Sequence, residues 1–177
     1  DENDCIDDTA KRRALDCLER FGQRLRGFEH RAVRIVGTNT LRRAHNSVEF
    51  LAEAREALGQ PIEIIAGREE ARLIYQGVAH NITDVTEQRL VMDIGGGSTE
   101  FIIGRRYTPL QMESLYMGCV SMSRECFDDG EITLERMERA ELLASQELEA
   151  MQTPYLRIGW GHSIGASGTI LAVRDVV

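Results

Sequence analysis

The stretch Leu90–Ile103, which reads LVMDIGGGSTEFII, indicates the fold and the chemistry of this chain more clearly than any other. Its apolar residues predict two short strands, and the three consecutive glycines between them predict a tight turn. Asp93 lies near the end of the first strand, while Ser98 and Glu100 lie at the start of the second. The stretch therefore predicts a β-hairpin whose turn is framed by two carboxylates.

The turn of this hairpin has the features of a phosphate-binding loop. Glycines expose backbone N–H groups that can donate to phosphate oxygens. Asp93 and Glu100 would repel a phosphate unless a cation lay between them, so this pair suggests Mg²⁺. The alternative is an ordinary hairpin in which the glycines only supply positive φ angles.

The composition limits the class of protein. The 177 residues suffice for one sizeable domain or two small lobes. An excess of 29 acidic over 21 basic residues, with a net charge of −8, argues against nucleic-acid binding. No apolar run approaches the ~20 residues of a transmembrane segment, and no signal peptide is recognised. The four cysteines lack Cys-x-x-Cys spacing, which favours idle thiols in the cytoplasm.

Helices and strands are predicted to alternate in the first half of the chain, as in the β-α units of an α/β fold. The predicted elements are a helix over 7–25, a strand over 33–36, a helix capped by Asn46 or Ser47 and ending at Leu58, a strand over 62–65 and a helix over 69–77. The predicted apolar faces of the first two helices consist of Ala14, Leu18, Phe21 and Leu25, and of Val48, Leu51, Ala54 and Leu58.

The second half is predicted to begin with a β-meander. A polar stretch over 81–88 is expected to link two lobes. The predicted elements after it are strands over 90–93, 100–104 and 110–116, a long helix over 133–151 and a last strand over 157–164. Because a meander beside α/β units is unusual, the combination constrains the fold.

Three glycine- or threonine-rich turns each follow a predicted strand. They cover residues 37–40, 95–98 and 165–169. Ligands of open α/β folds gather outside the carboxyl ends of strands, so these turns could converge on one cleft. Arg42 follows the first turn and could bind a phosphate through its guanidinium, whereas Arg43 is expected at the surface.

Two neighbouring acids, Glu69 and Glu70, occupy the first turn of a predicted helix. Acids at this position complement the helix dipole, which is a purely structural role. Alternatively, one of them projects into the cleft and orients or deprotonates a water molecule. The spacing alone leaves both possibilities open.

Four blocks of this sequence resemble the exopolyphosphatase/guanosine pentaphosphate phosphohydrolase family. The blocks are Gly37–Arg42, Ile62–Ile74, Asp93–Glu100 and Gly165–Thr169, in the order and spacing of the family. The resemblance covers nearly the whole chain, and the Gly-Thr-x-Thr-Leu-Arg block favours the exopolyphosphatase branch.

The resemblance implies an α/β fold similar to the ribonuclease-H-like lobes of the actin-like ATPase superfamily, with mixed sheets flanked by helices. It implies Mg²⁺-dependent release of orthophosphate from the end of inorganic polyphosphate. By this resemblance Glu70 is the catalytic glutamate, and Asp93 and Glu100 hold Mg²⁺ or the attacking water. The implied phosphate-binding residues are Arg42, Gly95, Gly96, Gly97, Ser98, Gly165, Ser167 and Gly168.

One departure from the family concerns the start of the chain. Family members begin with a hairpin that carries a first phosphate loop, and this sequence lacks it. We therefore expect an internal fragment, with the remainder of one lobe over residues 1–86 and the first part of a second over 87–177. Alternatives for the activity are hydrolysis of guanosine pentaphosphate, or polyphosphate or nucleotide binding without turnover. The complete protein is expected in the cytoplasm, and a homodimer is one possible assembly.

Overall fold

The computed structural model describes residues 4–83 and 87–177, which form two compact units. The first unit ends at Ala66 and the second begins at Gly67. The lobe boundary predicted between residues 86 and 87, and part of the linker predicted over 81–88, fall on residues 84–86, outside the described residues. The assignment of two actin-like lobes stays a prediction. Within the described ranges, no helix combines the length and the apolar character that a membrane crossing requires.

The first unit contains helices around a pair of short parallel strands. Its elements are α1 (Asp8–Leu25), β1 (Val36–Gly37), α2 (Asn39–Arg43), α3 (Ser47–Leu58) and β2 (Glu63–Ile64). Asp7 caps α1 by accepting hydrogen bonds of 2.8 Å from the backbone N–H groups of Thr9 and Ala10. The strands pair in parallel, with Val36 opposite Glu63. The first strand is predicted over 33–36, whereas β1 begins only at Val36, the last residue of that range.

Phe50, Ala54, Leu58 and Ile62 form the core of this unit, against the apolar side of α1. The predicted stripe of α3 is wrong at Val48, which is 79% exposed, while Phe50 is only 6% exposed. Asn46 precedes α3 without capping it, because its amide bonds to the backbone N–H and carbonyl of Ile6 at 2.9 Å each. A distant partner thus replaces the predicted local cap.

The second unit is built on a mixed four-stranded sheet. Its elements are α4 (Gly67–His80), β3 (Gln88–Ile94), β4 (Thr99–Arg105), β5 (Thr108–Leu115), α5 (Cys119–Cys126), α6 (Leu134–Ile158), β6 (His162–Ala166) and α7 (Ser167–Val176). The strand order is β5-β4-β3-β6. The predicted meander of β3, β4 and β5 is confirmed as antiparallel, and β6 lies parallel to β3.

The prediction for the end of the chain is wrong in two respects. Helix α6 continues to Ile158 instead of ending near Met151, because Met151 and Tyr155 are buried against the sheet. The last strand therefore begins at His162, not at residue 157. Helices α5 and α7 are not among the predicted elements, because segments of 8 and 10 residues are too short for a helical period to be recognised in the sequence.

Helices cover both faces of the sheet. On one face, Ala71, Tyr75 and Ala79 of α4 pack against Val91 and Ile102. On the other face, α6 packs through Met151 and Tyr155 against Phe101 and Ile103.

Because side chains alternate along a strand, Asp93 and Glu100 lie on the same face as Val91 and Ile102, which is the face that α4 covers.

Candidate active site

A row of three polar residues crosses the sheet on the α4 face. Asp93 on β3 pairs directly with Glu100 on β4, and Glu100 pairs with Ser114 on β5. Directly opposed residues of antiparallel strands have Cβ atoms ~5 Å apart. The hairpin therefore brings the two predicted metal ligands side by side.

Glu100 is an unusually buried acid at the centre of this row. It is 2% exposed, and its Oε1 accepts a hydrogen bond of 2.8 Å from the Ser114 hydroxyl. Burial raises the pKa of the Glu100 carboxyl above its usual value, and the negative charges of Glu70 and Asp93 raise it further. Hydroxyl groups of Ser114 and Ser98 oppose the rise by hydrogen-bonding to the carboxylate. The site thus concentrates negative charge that a cation would offset.

The structure distinguishes the two acids that the sequence left equivalent. Glu69 is paired with Arg72 of the next helical turn, through hydrogen bonds of 2.7 and 2.8 Å to the two carboxylate oxygens. Glu70 instead lies close enough to Glu100 for its charge to raise the pKa of that residue. Of the pair, Glu70 is therefore the acid whose charge acts on the carboxylate row.

Helix α5 holds the glycine loop through hydrogen bonds to the carbonyl oxygens of the loop. The N–H of Cys119 donates to the Gly95 carbonyl at 2.9 Å, and the N–H of Val120 donates to the Gly96 carbonyl at 2.8 Å. In a trans peptide the N–H points opposite to the C=O, so the N–H groups of Gly96 and Gly97 point away from α5. The loop thus presents two backbone donors on its other side, as a phosphate site requires.

The alternative of an ordinary hairpin required positive φ angles at the glycines. Gly95, Gly96 and Gly97 have no such angle. A Cβ atom on Gly95 would lie 3.1 Å from the Ser98 carbonyl oxygen, whereas one on Gly96 would meet only Val120, at an ordinary 3.5 Å. The closest contact involves Gly118, which packs directly on the loop. A Cβ atom on Gly118 would lie 2.5 Å from the carbonyl carbon of Gly96. Close backbone packing therefore requires a glycine at position 118, and positive φ angles do not explain the run Gly95–Gly97.

The junction between β6 and α7 lies beside this loop. Ala166 pairs with Asp93 across parallel strands, and the Ser167 hydroxyl donates to the Ile94 carbonyl at 3.1 Å. Ser167 has a φ of 72°, a left-handed conformation that non-glycine residues seldom adopt. Helix α7 begins here with no side-chain cap, so its first N–H groups form a second array of donors.

The two glycines of this junction differ in their surroundings. A Cβ atom on Gly165 would lie 2.2 Å from Cγ2 of Ile170, so this glycine allows α7 to pack on β6. A Cβ atom on Gly168 would meet nothing within 4 Å. Phosphate binding by Gly165, Ser167 and Gly168 stays a prediction, as it does for the glycine loop and Ser98.

The first predicted turn lies in the other unit, where Arg42 belongs to α2. Its Nη1 donates to the Ile65 carbonyl at 2.8 Å. Arg43 forms an exposed ion pair of 3.0 Å with Asp4, in agreement with its predicted surface position. The convergence of all three turns and the phosphate contact of Arg42 stay predictions.

The pair Asp93 and Glu100 fits a cation whose remaining ligands come from water and a bound substrate. Within residues 4–83 and 87–177, no group of three His, Cys, Asp or Glu side chains is arranged to hold a metal ion. Mg²⁺, however, is commonly bound through one or two carboxylates together with waters and substrate phosphates. Asp93 and Glu100 lie beside a loop whose Gly96 and Gly97 N–H groups point away from α5. This arrangement is consistent with that mode of binding.

Comparison with known proteins agrees with this geometry. Residues 1–177 match the profile of the Ppx/GppA phosphatase family. A Haemophilus influenzae protein named as a candidate exopolyphosphatase is 45% identical over 177 residues, which are 100% of this chain and 54% of that protein. A guanosine-5'-triphosphate,3'-diphosphate pyrophosphatase of Vibrio cholerae is 43% identical over the same residues, which are 35% of its length. The chain thus spans about half, or less, of these curated relatives.

Solved structures share the fold. An exopolyphosphatase from Cytophaga hutchinsonii superposes with a TM-score of 0.79 and 27% identity, over 93% of this chain and 53% of that chain. An Aquifex aeolicus Ppx/GppA enzyme gives a TM-score of 0.71 and 26% identity, over 94% of this chain and 54% of that one. The predicted fold class, α/β with mixed sheets flanked by helices, is confirmed.

Proposed function

This chain belongs to the Ppx/GppA phosphatase family, and we propose that the complete protein is an exopolyphosphatase that releases orthophosphate from the end of inorganic polyphosphate with Mg²⁺. The family assignment confirms the resemblance found in the sequence. The substrate and the metal are our proposal, and its main support is the direct pairing of Asp93 with the buried Glu100 at the glycine loop.

The proposed reaction is hydrolysis of the terminal phosphoanhydride by in-line attack of water. Glu70 orients the water and accepts its proton while the water oxygen forms a bond to the terminal phosphorus. The bond from that phosphorus to the bridging oxygen breaks, and the shortened chain leaves with the electron pair. Positioning and electrostatic stabilisation supply most of the rate enhancement in such reactions.

Each remaining part of the site has a role in this proposal. The backbone donors of Gly96 and Gly97, and those at the start of α7, would bind the phosphoryl oxygens. Asp93 and Glu100 would hold Mg²⁺, which, when bound, offsets phosphate charge. Arg42 would contact the polyphosphate chain, as the family resemblance implies.

A second candidate substrate is guanosine pentaphosphate, because the Vibrio cholerae relative carries that kind of activity in its name. Phosphate release by the complete protein should be compared between long-chain polyphosphate and guanosine pentaphosphate at saturating Mg²⁺. Faster release from polyphosphate supports the proposal, and release from the nucleotide alone would favour the second candidate. Binding of either compound without release would indicate a binding protein.

The matched variants Glu70→Gln and Glu69→Gln test the assignment of the catalytic residue. We expect Glu70→Gln to reduce kcat by ~10²–10⁴-fold, because it removes a general base. Glu69→Gln should leave kcat nearly unchanged, since Glu69 is paired with Arg72. Full activity in Glu70→Gln, or equal losses in both variants, would contradict the assignment. A cytoplasmic location and a homodimer of the complete protein stay predictions.

A further inference from the structure

We propose that Ser114 is a positioning residue, whose hydroxyl fixes the orientation of the Glu100 carboxylate for binding a divalent cation. The inference rests on the proposed role of Asp93 and Glu100 as the cation site. It adds a residue of β5 that neither the sequence motifs nor the family resemblance indicated.

The need for a positioning group follows from the chemistry of a glutamate side chain. The terminal torsion of glutamate, χ3, has a broad distribution, so packing alone defines the plane of the carboxylate poorly. Glu100 is 2% exposed, which leaves little room for solvent to hold its oxygens. A hydrogen bond from a fixed donor is therefore the means by which this carboxylate can be held in one orientation.

Ser114 is such a donor. Its Oγ lies 2.8 Å from Oε1 of Glu100, directly opposite across the β4–β5 ladder. On the other side of Glu100 lies Asp93, so Ser114 holds the carboxylate from the side away from the second acid. Ligating carboxylates are commonly oriented by outer hydrogen-bond partners of this kind, and loss of such a partner weakens metal binding ~10–100-fold.

Ser98 also hydrogen-bonds to Glu100, but from a different part of the structure. Ser98 belongs to the loop that would bind phosphate, whereas Ser114 belongs to a regular strand of the sheet. Ser114 can therefore maintain the orientation of Glu100 while the loop adjusts to a ligand. This difference assigns the permanent anchor to Ser114.

The test measures cation affinity directly in the complete protein. Mn²⁺ serves as the spectroscopic probe, and its binding is titrated by electron paramagnetic resonance for wild type, Ser114→Ala, Ser114→Thr and Ser114→Cys. We expect Ser114→Ala to weaken Mn²⁺ binding ~10–100-fold. Ser114→Thr retains the hydroxyl and should restore most of the affinity. Ser163→Ala, an exposed serine on β6 of the same sheet, is the control and should bind Mn²⁺ like wild type.

Several outcomes would overturn the inference. Wild-type affinity in Ser114→Ala would show that the hydrogen bond is not needed. An equal loss in Ser114→Ala and Ser114→Thr would indicate a packing effect. If Ser114→Ala does not fold, Ser114→Cys keeps the side-chain volume with only a weak donor, and wild-type affinity in that variant would also overturn it.

The same experiment separates this inference from the proposed function. If wild type binds Mn²⁺ but releases no phosphate from polyphosphate, the proposed activity fails while the titration still decides the role of Ser114. If wild type is active and Ser114→Ala binds Mn²⁺ unchanged, only the role of Ser114 fails. In an active enzyme, the Mg²⁺ concentration for half-maximal rate should rise in Ser114→Ala by the same factor as the Mn²⁺ dissociation constant.

Discussion

Gly118 provides the sharpest test of how the glycine loop is built. A Cβ atom at this position would lie 2.5 Å from the carbonyl carbon of Gly96 and 2.6 Å from the nitrogen of Gly97. Both are backbone atoms, which cannot turn aside as a flexible side chain could. We therefore expect Gly118→Ala to displace the loop, and with it the two donors proposed to bind phosphate.

The size of the effect follows from these distances. To lengthen the 2.5 Å contact to an ordinary 3.4 Å, the loop and α5 must separate by ~0.9 Å. Overpacking of this kind costs ~1–3 kcal/mol in the free energy of unfolding. A displacement of ~1 Å in a group that positions substrate can reduce kcat/KM ~100-fold. The hydrogen bonds from α5 to the carbonyls of Gly95 and Gly96 should weaken as well.

The assay compares Gly118→Ala with Gly77→Ala in the complete protein. Gly77 lies on the exposed side of α4, where a Cβ atom would meet nothing within 4 Å. Alanine there should raise the free energy of unfolding by ~0.5–1 kcal/mol, because glycine is a poor helix former. Urea unfolding gives the stability change, and phosphate release gives kcat/KM. Wild-type stability and kcat/KM in Gly118→Ala would refute the contact between α5 and the loop.

Two further predictions concern the α4 face of the sheet. Tyr75→Phe should lower the free energy of unfolding by ~0.5–1.5 kcal/mol in a urea titration, because the buried phenol donates a hydrogen bond of 2.9 Å to the Arg106 carbonyl. Glu100→Gln should raise the melting temperature at pH 7 without metal, because burial raises the pKa of Glu100 and the ionised form opposes folding. That gain should vanish as the pH falls below the usual carboxyl pKa of 4.5, since Glu100 is then protonated in both the folded and the unfolded state. A gain that persists at low pH would contradict this link between the ionisation of Glu100 and the stability of the fold.

The local patterns of the sequence were sufficient for most elements of the second unit. Two short apolar runs and the three glycines between them placed β3, β4 and the turn within a few residues of their observed bounds. The turn also pairs Asp93 with Glu100, because a hairpin with a short loop fixes which residues face each other. The acidic pair at the centre of the site was therefore predictable from sequence.

Contacts between distant segments decided what the sequence left open or predicted wrongly. Helix α6 extends to Ile158 because Met151 and Tyr155 are buried against the sheet. No feature of the neighbouring sequence predicts this contact. Glu69 and Glu70 look equivalent in sequence. Only the pairing of Glu69 with Arg72, and the effect of the Glu70 charge on the pKa of Glu100, distinguish them.

Ser114 shows most clearly where sequence reasoning ends. If β4 and β5 paired in the register that they have next to their connecting turn, Ser114 would lie opposite Thr99. Its side chain would then be on the face away from Glu100. A register shift between Ile103 and Gly104 moves the pairing by one residue and brings Ser114 opposite Glu100. Such a shift inverts the face of every residue beyond it. The sequence by itself thus determined the hairpin, its glycine loop and its two acids, because these depend on neighbours along the chain. The packing of α4, the contact of α5 with the loop and the alignment of Ser114 depend on contacts across the sheet, and only the tertiary structure decided them.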